Sequence, residues 1–269
     1  MVSEGWNSSM ISRYSIHQLL HLISWEHFFY TWNVKSGTEE AGRLKQEALQ
    51  LLDSMNEKLS VHYLCQMFDA QSLGDDILLH DCRIPFLRQQ IPNSEGYCLC
   101  VSDFVSHQHN RVGIFATSVS QLEVVPGTLA SAQTFNSHDP YASLLLQTLS
   151  DRLAEAAAER LQQQVAATEG WDARHIIRPA VGYPMIPDMS INFLLDNLCD
   201  LSQIGIRLTE NGMMRPHASV SGFILTHPQA HYFAVGPISE EQLIDYASRR
   251  GFTIDEMKKY VETVVSPSN

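Results

Sequence analysis

The segment from Arg178 to Asp188, Arg-Pro-Ala-Val-Gly-Tyr-Pro-Met-Ile-Pro-Asp, restricts the fold more than any other part of the sequence. It contains three prolines and one glycine in eleven residues. Proline fixes φ, lacks an N–H group and pushes the preceding residue toward extended backbone, so the segment cannot lie inside a helix. Gly182 allows a backbone conformation or a close approach that other residues exclude. The segment therefore predicts an ordered, extended loop.

Two side chains give this loop a chemical character. Arg178 is a permanent cation with a planar guanidinium, and Tyr183 combines an apolar ring with a polar end. Together they suit a small ligand that has a carboxylate and a flat ring. A rigid surface linker is the alternative interpretation, and these residues alone do not decide between the two.

Composition narrows the class of protein. The 269 residues are 44% hydrophobic and 18% charged, which is ordinary for a globular chain with a packed core. The net charge of −12 argues against nucleic acid or an anionic membrane as a partner, because binding polyphosphates requires clustered Lys and Arg. No apolar run approaches the roughly 18 residues of a membrane span, and Met1–Gly5 does not resemble a signal peptide. The expected location is cytoplasmic.

Cysteine and histidine do not form a metal-ligand pattern. The five cysteines are scattered, and Cys98 and Cys100 have no second Cys or His pair at the spacing of a zinc site. The twelve histidines are numerous, but the pairs His107/His109 and His227/His231 lack a carboxylate or cysteine at ligand spacing. We expect buried structural thiols and no metal site.

Hydrophobic periodicity and turn residues predict a mixture of helices and strands. Helices are expected at residues 12–34, 39–57, 138–164, 190–201, 239–251 and 254–264, with a helical turn at 86–90. Strands are expected at 61–67, 77–80, 97–103, 111–117, 204–209, 219–226 and 232–236, the last two as a hairpin. Because the order is not a steady β-α-β alternation, the predicted fold class is α+β. We expect a single domain over residues 1–269, with a twisted, largely antiparallel sheet flanked by helices and loose tails at 1–11 and 265–269.

Several motifs, taken in their order along the chain, resemble one known family. Four motifs in the second half carry most of the resemblance: Arg178-Pro-Ala-Val-Gly-Tyr-Pro184 with Pro187-Asp188; Gly205-Ile-Arg-Leu-Thr-Glu210 with Ala218-Ser-Val-Ser-Gly222; His227-Pro228 with Tyr232-Phe-Ala-Val235; and Asp245-Tyr-Ala-Ser-Arg-Arg-Gly251. Phe28-Phe-Tyr-Thr-Trp32 and Asp151-Arg-Leu-Ala-Glu-Ala156 agree with it. The family is the activation domain of cobalamin-dependent methionine synthase, and the resemblance covers nearly the whole chain.

The resemblance implies a cofactor and partners. Domains of this family bind S-adenosylmethionine and dock over the cobalamin of a methionine synthase, or of a related corrinoid protein, after the cobalamin has been oxidised to an inactive state. A flavodoxin-like donor supplies an electron, and S-adenosylmethionine remethylates the cobalt. Cobalamin itself would reach this chain only through the partner protein.

The resemblance also assigns roles to residues of the loop. Arg178 would hold the methionine carboxylate, and Gly182 and the prolines would leave the main chain open to adenine, with Ala180 also among the binding residues. Tyr183 would extend from the sulfonium toward the corrin, which makes it the one residue with a catalytic assignment.

Three further residues would complete the pocket. Tyr232 and the main chain at Phe233 would border it, and Glu210 would place negative charge near the sulfonium. Ordinary packing or a turn contact is the alternative role for Glu210 and Tyr232.

The sequence departs from the family pattern in three places. Ser24 occupies the position of an acidic residue that binds the ligand ammonium, and Glu26 lies on a different face of its helix. Met189 and Asn192 replace a histidine and a lysine, and the segment before Arg178 is shorter. Ser24 therefore remains a candidate binding residue without a charge.

The sequence leaves three functions open. It has no D-x-H-x-x-G cobalamin motif and no homocysteine or folate barrel, so it is not expected to form methionine alone. The first function is an activation module that acts in trans on a corrinoid methyltransferase. The second is a non-catalytic module that binds a corrinoid protein and has lost S-adenosylmethionine. The third, an independent methyltransferase, lacks a nucleophile or base beside the loop and a glycine-rich motif after a first strand.

Overall fold

The structure, a computed structural model, describes residues 9–79, 82–108, 110–121 and 139–261. Its strands are β1 (Ser9–Tyr14), β2 (Leu59–Leu73), β3 (Asp76–Leu79), β4 (Cys82–Pro85), β5 (Asn110–Gln121), β6 (Ile176–Ile177), β7 (Arg207–Leu208), β8 (Met214–Arg215) and β9 (Ser219–Thr226). Its helices are α1 (Ile16–Leu19), α2 (Trp25–Thr31), α3 (Glu39–Ser54), α4 (Pro140–Glu169), α5 (Ile191–Cys199), α6 (Glu240–Arg250) and α7 (Ile254–Val261).

An antiparallel sheet is the centre of the domain. Seven of the described strands form it in the order β4-β3-β2-β5-β9-β6, and β1 pairs with β2 outside this path. Every pairing in the sheet is antiparallel. The predicted class, an α+β domain with a largely antiparallel sheet flanked by helices, is confirmed.

The sheet is covered on both faces, so alternate residues of its long strands enter two apolar cores. On one face, Val61 and Cys65 of β2 belong to the core that includes α1 to α4. On the other face, Leu64 and Phe68 belong to the core that includes α5 and residues of the proline-rich loop. A third cluster joins α6 to α7. The proline-rich loop is therefore part of a core and not a surface linker.

Helix α4 crosses one face of the sheet for 30 residues. Asp139 caps it by accepting a hydrogen bond from the Tyr141 N–H, and Pro140 occupies its first turn, as the sequence predicts. Its alanines allow a close approach to the sheet, where the Thr117 hydroxyl donates to the Ala154 carbonyl at 2.9 Å. This helix runs to Glu169, five residues beyond the predicted end.

The prediction for the first part of the chain is wrong. Residues 9–14 form an edge strand on β2, so residues 9–11, expected to be a loose tail, pair with residues 64–66. The chain then forms the short helix α1, a 3₁₀ turn at Leu20–Leu22 and helix α2. The apolar spacing over 12–34 predicts one helix. In the structure, the apolar and aromatic residues of this segment belong to separate short elements that pack into one core. The rest of the expected tails lies outside the described residues.

Three further predictions are wrong for a common reason. Residues 97–103 form a bridge at Cys100 and a 3₁₀ turn at Val101–Phe104, residues 86–90 are not helical, and residues 232–236 form no strand. The expected hairpin is absent because β9 pairs with β5 and β6. Apolar residues in these segments are buried without forming the predicted elements; Phe86, for example, packs against Phe223 of β9 with ring centroids 5.4 Å apart.

The remaining predictions agree with the structure in type and position, although β2 extends six residues beyond the predicted end at 67, and residue 80 lies outside the described residues. They are the helices at 39–57, 190–201, 239–251 and 254–264, of which the last is described to Val261, and the strands at 61–67, 77–80, 111–117 and 219–226. Of the predicted strand at 204–209, only β7 is extended. No helix in the described ranges is both long and apolar enough to cross a lipid bilayer.

We expect Leu153→Ala to lower the free energy of unfolding by about 2–5 kcal/mol, because Leu153 is fully buried on α4 and its removal leaves a cavity. Leu144→Ala, on the same helix but 53% exposed, is the matched control and should change it by less than about 0.5 kcal/mol. Urea denaturation followed by circular dichroism measures both. Equal losses of unfolding free energy in the two variants would contradict the position of α4 in the core.

Candidate functional site

The loop that begins at Arg178 lies directly on strand β9. Val181 N–H donates to the Ser221 carbonyl at 2.9 Å, and Ala180 forms an isolated bridge with Gly222. A Cβ atom on Gly222 would stand 2.2 Å from the Pro179 carbonyl oxygen, which no side chain can do. Gly222 is thus required for the loop to approach the sheet, and the predicted ordered, extended loop is confirmed.

A tight turn then presents Tyr183. Gly182 has a φ of +85°, and its N–H donates to the Ile186 carbonyl at 2.8 Å. A Cβ atom at Gly182 would stand 2.7 Å from the Met189 sulfur. Met189, one of the departures from the family pattern, therefore packs beneath the turn and supports it.

A buried polar network holds the end of the loop to α6. Asp188, 1% exposed, accepts hydrogen bonds from the Tyr246 hydroxyl at 2.7 Å and the Ser190 N–H at 2.7 Å. The Arg250 guanidinium, 4% exposed, pairs with the same carboxylate at 3.3 Å. Burial, with the nearby Asp188 carboxylate, raises the pKa of Tyr246 well above its usual value, so this hydroxyl remains a donor. The motif around Tyr246 and Arg250 thus contributes to the site indirectly.

Asn192, the other departure, is also structural. It is fully buried; its amide donates to the Gly212 carbonyl at 2.8 Å, and its oxygen accepts from the Ser221 hydroxyl at 2.6 Å. An asparagine satisfies these two partners without charge.

Two adjoining cavities meet at the loop. The first, of about 450 Å³, is called the proline-side cavity, and the second, of about 630 Å³, the helix-side cavity. Both are lined by Glu155, Arg178 and Tyr183. The proline-side cavity is completed by Pro179, Ala180, Pro184, Met185, Tyr232, Phe233 and Ala234. The helix-side cavity is completed by Leu22, Ser24, His27, Tyr30, Thr31, Arg152 and Glu159.

Arg178 lies at the junction with much of its hydrogen-bonding capacity unused. Its side chain is 11% exposed, and its guanidinium stands 5.4 Å from the centroid of the Phe115 ring. Its Nη atoms are 3.7 Å from Glu155 and 3.8 Å from Glu159, beyond hydrogen-bond distance. Its Nε is buried without a partner among the described residues. A guanidinium held in this way is available to a carboxylate.

Tyr183 separates the two cavities. Its ring is 49% exposed, and its hydroxyl donates a hydrogen bond to the Glu155 carboxylate. Loss of solvent around the hydroxyl, together with the charge of Glu155, raises the pKa of Tyr183 well above its usual value of 10.0. The phenol therefore stays neutral even at a pH at which a free tyrosine would ionise.

The residues at 232 and 233 border the proline-side cavity without forming a strand. The Tyr232 hydroxyl accepts a hydrogen bond from the Arg178 N–H at 2.8 Å, which ties its exposed ring to the loop. Phe233 packs against Phe104, with ring centroids 6.2 Å apart. Val235 N–H donates to the Pro184 carbonyl at 2.9 Å. The segment is thus fastened along the loop.

The structure brings most of the predicted site residues together. Ser24 borders the helix-side cavity, and its hydroxyl lies 2.7 Å from His27 Nδ1. Ala180, Arg178, Tyr183, Tyr232 and Phe233 line the proline-side cavity, and Gly182 shapes the turn between them. Glu210 is not brought to either cavity: it is exposed, and its carbonyl accepts from the Tyr260 hydroxyl at 3.3 Å.

Sequence reasoning missed the acidic side of the site. Glu155 and Glu159 lie one turn apart on α4 and both face the helix-side cavity. The segment Asp151-Arg-Leu-Ala-Glu-Ala156 contained the signal for Glu155, since it agrees with the family motif. Nothing in the sequence places α4 beside the loop, because that contact is made only in the folded domain.

No group of three or more His, Cys, Asp or Glu side chains within the described part of the chain could hold a metal ion. All five cysteines are free: Cys65, Cys100 and Cys199 are buried, and Cys82 and Cys98 are partly exposed.

The sequence model of one family matches residues 15–251, which is most of the chain. Its description is "Vitamin B12 dependent methionine synthase, activation domain". The chain belongs to this family. The family match begins at α1 and ends with α6, so it includes both cavities and the network at Asp188.

A solved structure agrees with the family assignment. The activation domain is similar to a crystal structure of the MetH reactivation domain bound to AdoHcy, at 28% sequence identity and a TM-score of 0.83. The similarity covers 97% of this chain and 91% of that one. The two domains therefore share their fold nearly from end to end.

We expect Gly182→Ala in the activation domain to lower the free energy of unfolding more than Gly37→Ala does. Both glycines have a φ above +80°, so both alanines carry a left-handed backbone cost of roughly 1–2 kcal/mol. Only at Gly182 would the new Cβ also meet Met189, whereas the space at Gly37 is open. Urea denaturation measures the difference.

Adding Met189→Ala provides the control for this steric term. In the Gly182→Ala background, Met189→Ala should recover part of the unfolding free energy that Gly182→Ala loses beyond Gly37→Ala. The reason is that the sulfur that meets the new Cβ is gone. Equal effects of the two glycine substitutions would contradict the packing of Met189 beneath the turn.

Proposed function

We propose that this activation domain binds S-adenosylmethionine across the two cavities and presents its methyl group for remethylation of the cobalamin of a partner protein. The observation that carries this proposal is Arg178, a nearly buried guanidinium with unused donors at the junction of the cavities. Two carboxylates of α4 stand within ion-pair distance of this guanidinium but beyond hydrogen-bond distance, so its N–H donors can still bind a ligand anion. The carboxylate of the methionine portion is a suitable anion.

The proline-side cavity suits the adenosyl portion. Its walls are mainly apolar side chains of the loop and of residues 232–234, and its volume is in the range of small-ligand pockets. The aromatic residues Tyr232 and Phe233 border it. The structural neighbour bound to AdoHcy, the product left when S-adenosylmethionine gives up its methyl group, supports this choice of ligand.

Glu155 suits the centre of the ligand. Its carboxylate lines both cavities, so it would face the sulfonium when the adenosyl and methionine portions occupy opposite sides. The positive charge of a sulfonium is favoured beside a carboxylate that is partly shielded from water. This is the role that the sequence assigned to Glu210.

Tyr183 suits the side that faces the partner. Its ring is half exposed at the junction, and its phenol, whose pKa is raised further above neutrality, carries no charge. A neutral, amphipathic ring can cover the reacting methyl group and contact a corrin ring without bringing charge to it. Its proposed role is to position the two reactants; the cobalamin supplies the methyl acceptor.

The proposed partners are a cobalamin-binding methionine synthase or a related corrinoid protein, acting in trans, and a flavodoxin-like electron donor. The family to which the chain belongs supports a cobalamin-binding partner. The proposed location is the cytoplasm.

We expect Arg178→Ala to weaken S-adenosylmethionine binding about ten- to a hundredfold, since it removes a charge-assisted contact of about 1.5–3 kcal/mol. Arg174→Ala, which removes the same charge from an exposed local pair with Asp172, should leave the affinity unchanged. Isothermal titration calorimetry measures both. The proposal fails if the unmodified domain binds no ligand at millimolar concentration.

We also expect the domain to restore activity in trans. It is added to a methionine synthase without its own activation domain, whose cobalamin has been oxidised, together with S-adenosylmethionine and reduced flavodoxin. Methionine formation should rise with the concentration of the domain, and Tyr183→Ala should slow this recovery more than it weakens ligand binding. Equal recovery without the domain would contradict action in trans.

A non-catalytic module that binds a corrinoid protein is the second candidate. The observation that favours it is the neutral Ser24, whose hydroxyl is already engaged with His27. Capture of a corrinoid protein by a domain that shows no calorimetric response to S-adenosylmethionine would support this candidate over the first.

A further inference from the structure

We propose that Glu159 binds the α-ammonium group of the ligand's amino-acid portion, an inference that rests on the proposed function of the two cavities. Glu159 lies beyond the motif Asp151-Arg-Leu-Ala-Glu-Ala156 on the same helix. It would be the specificity residue for ligands that carry an amino group beside their carboxylate.

Position on α4 distinguishes Glu159 from its neighbour. Glu155 lines both cavities and accepts the hydrogen bond of Tyr183, so it belongs to the junction. Glu159, one turn later, lines only the helix-side cavity, and its side chain is 43% exposed. Its contacts are weak: the Arg178 guanidinium lies 3.8 Å away, and the Gln163 amide donates at 3.5 Å. Its carboxylate can accept further hydrogen bonds from a ligand.

The opposite wall of the helix-side cavity provides no negative charge. The Ser24 hydroxyl is bonded to His27, and Thr31 donates its own hydroxyl to the His27 carbonyl at 3.0 Å. Glu26 does not line the cavity. Among the residues that line this cavity, the carboxylates belong to Glu155 and Glu159 alone. A ligand ammonium at this end therefore has Glu159 as its anionic partner.

The spacing of charges matches an amino acid. The Arg178 Nη2 and Glu159 Oε2 atoms are 3.8 Å apart, and both border the same cavity. In an α-amino acid the ammonium nitrogen and the carboxyl carbon are two bonds apart, about 2.5 Å. A carboxylate bound to Arg178 thus brings its ammonium within reach of Glu159. Both ligand charges are then paired, which a partly shielded cavity requires.

Calorimetric titration with three ligands tests the inference. S-adenosylmethionine and S-adenosylhomocysteine carry the ammonium, and 5′-methylthioadenosine lacks the amino-acid portion. Glu159→Gln keeps the shape of the side chain and removes its charge. It should weaken the first two ligands about ten- to a hundredfold and change the third less than about twofold. Glu40→Gln, on the exposed first turn of α3, removes the same charge away from the cavities and should change none of them.

The outcomes separate this inference from the proposed function. If the unmodified domain binds S-adenosylmethionine and Glu159→Gln binds it equally well, the inference is overturned and the proposed function stands. An equal loss for all three ligands also overturns it, since Glu159 would then shape the cavity and not bind the ammonium. If the unmodified domain binds none of the ligands, both fail. A thermal melt confirms that each variant is folded.

Discussion

Main-chain contact between the proline-rich loop and strand β9 is the constraint on which the rest of the site depends. At Gly222 the two backbones are so close that no side chain fits between them. This contact fixes the position of Arg178 relative to the sheet, and it also fixes where the turn at Gly182 begins. The prolines are compatible with this contact, because proline removes only a donor: the Pro179 carbonyl still accepts a hydrogen bond from the Phe223 N–H at 3.0 Å. Their restricted φ angles also lower the entropy that the segment loses on folding. The cavities exist because this loop stands on β9 while α4 and the segment at 232–234 border it.

The charged groups at the junction of the two cavities are Arg178, Glu155 and Glu159. One guanidinium stands beside two carboxylates of α4 at distances too long for hydrogen bonds, so the groups stabilise each other electrostatically while their hydrogen-bonding capacity stays available. Arg178, whose side chain is 11% exposed, has little freedom left to lose when a ligand binds, which reduces the entropic cost of binding. Ser24 on the facing wall is neutral, so the carboxylates that line the helix-side cavity, Glu155 and Glu159, both lie on α4.

Sequence patterns predicted the elements whose signals are local and strong. Helix α4 has a cap, a proline at its start and a long apolar stripe, and the loop at Arg178 has prolines that permit no helix. Prediction failed where apolar residues are buried without forming the predicted strand, as at residues 232–236, and where short elements bury one aromatic cluster, as at residues 12–34. In the site, local motifs supplied Arg178 and Tyr183. Glu155 and Glu159 required knowledge of which helix crosses behind the loop, a long-range contact that one sequence does not encode in any local pattern.

The buried carboxylate of Asp188 has a consequence for how the domain responds to its ligand. It joins the end of the loop to Tyr246 and Arg250, which lie on α6. A charge enclosed in this way cannot lose one partner without a cost of about 3–5 kcal/mol. The end of the loop and α6 are therefore energetically coupled, and loss of the pairing at Asp188 would loosen both. Ligand binding should accordingly slow amide hydrogen exchange in a helix that does not touch either cavity.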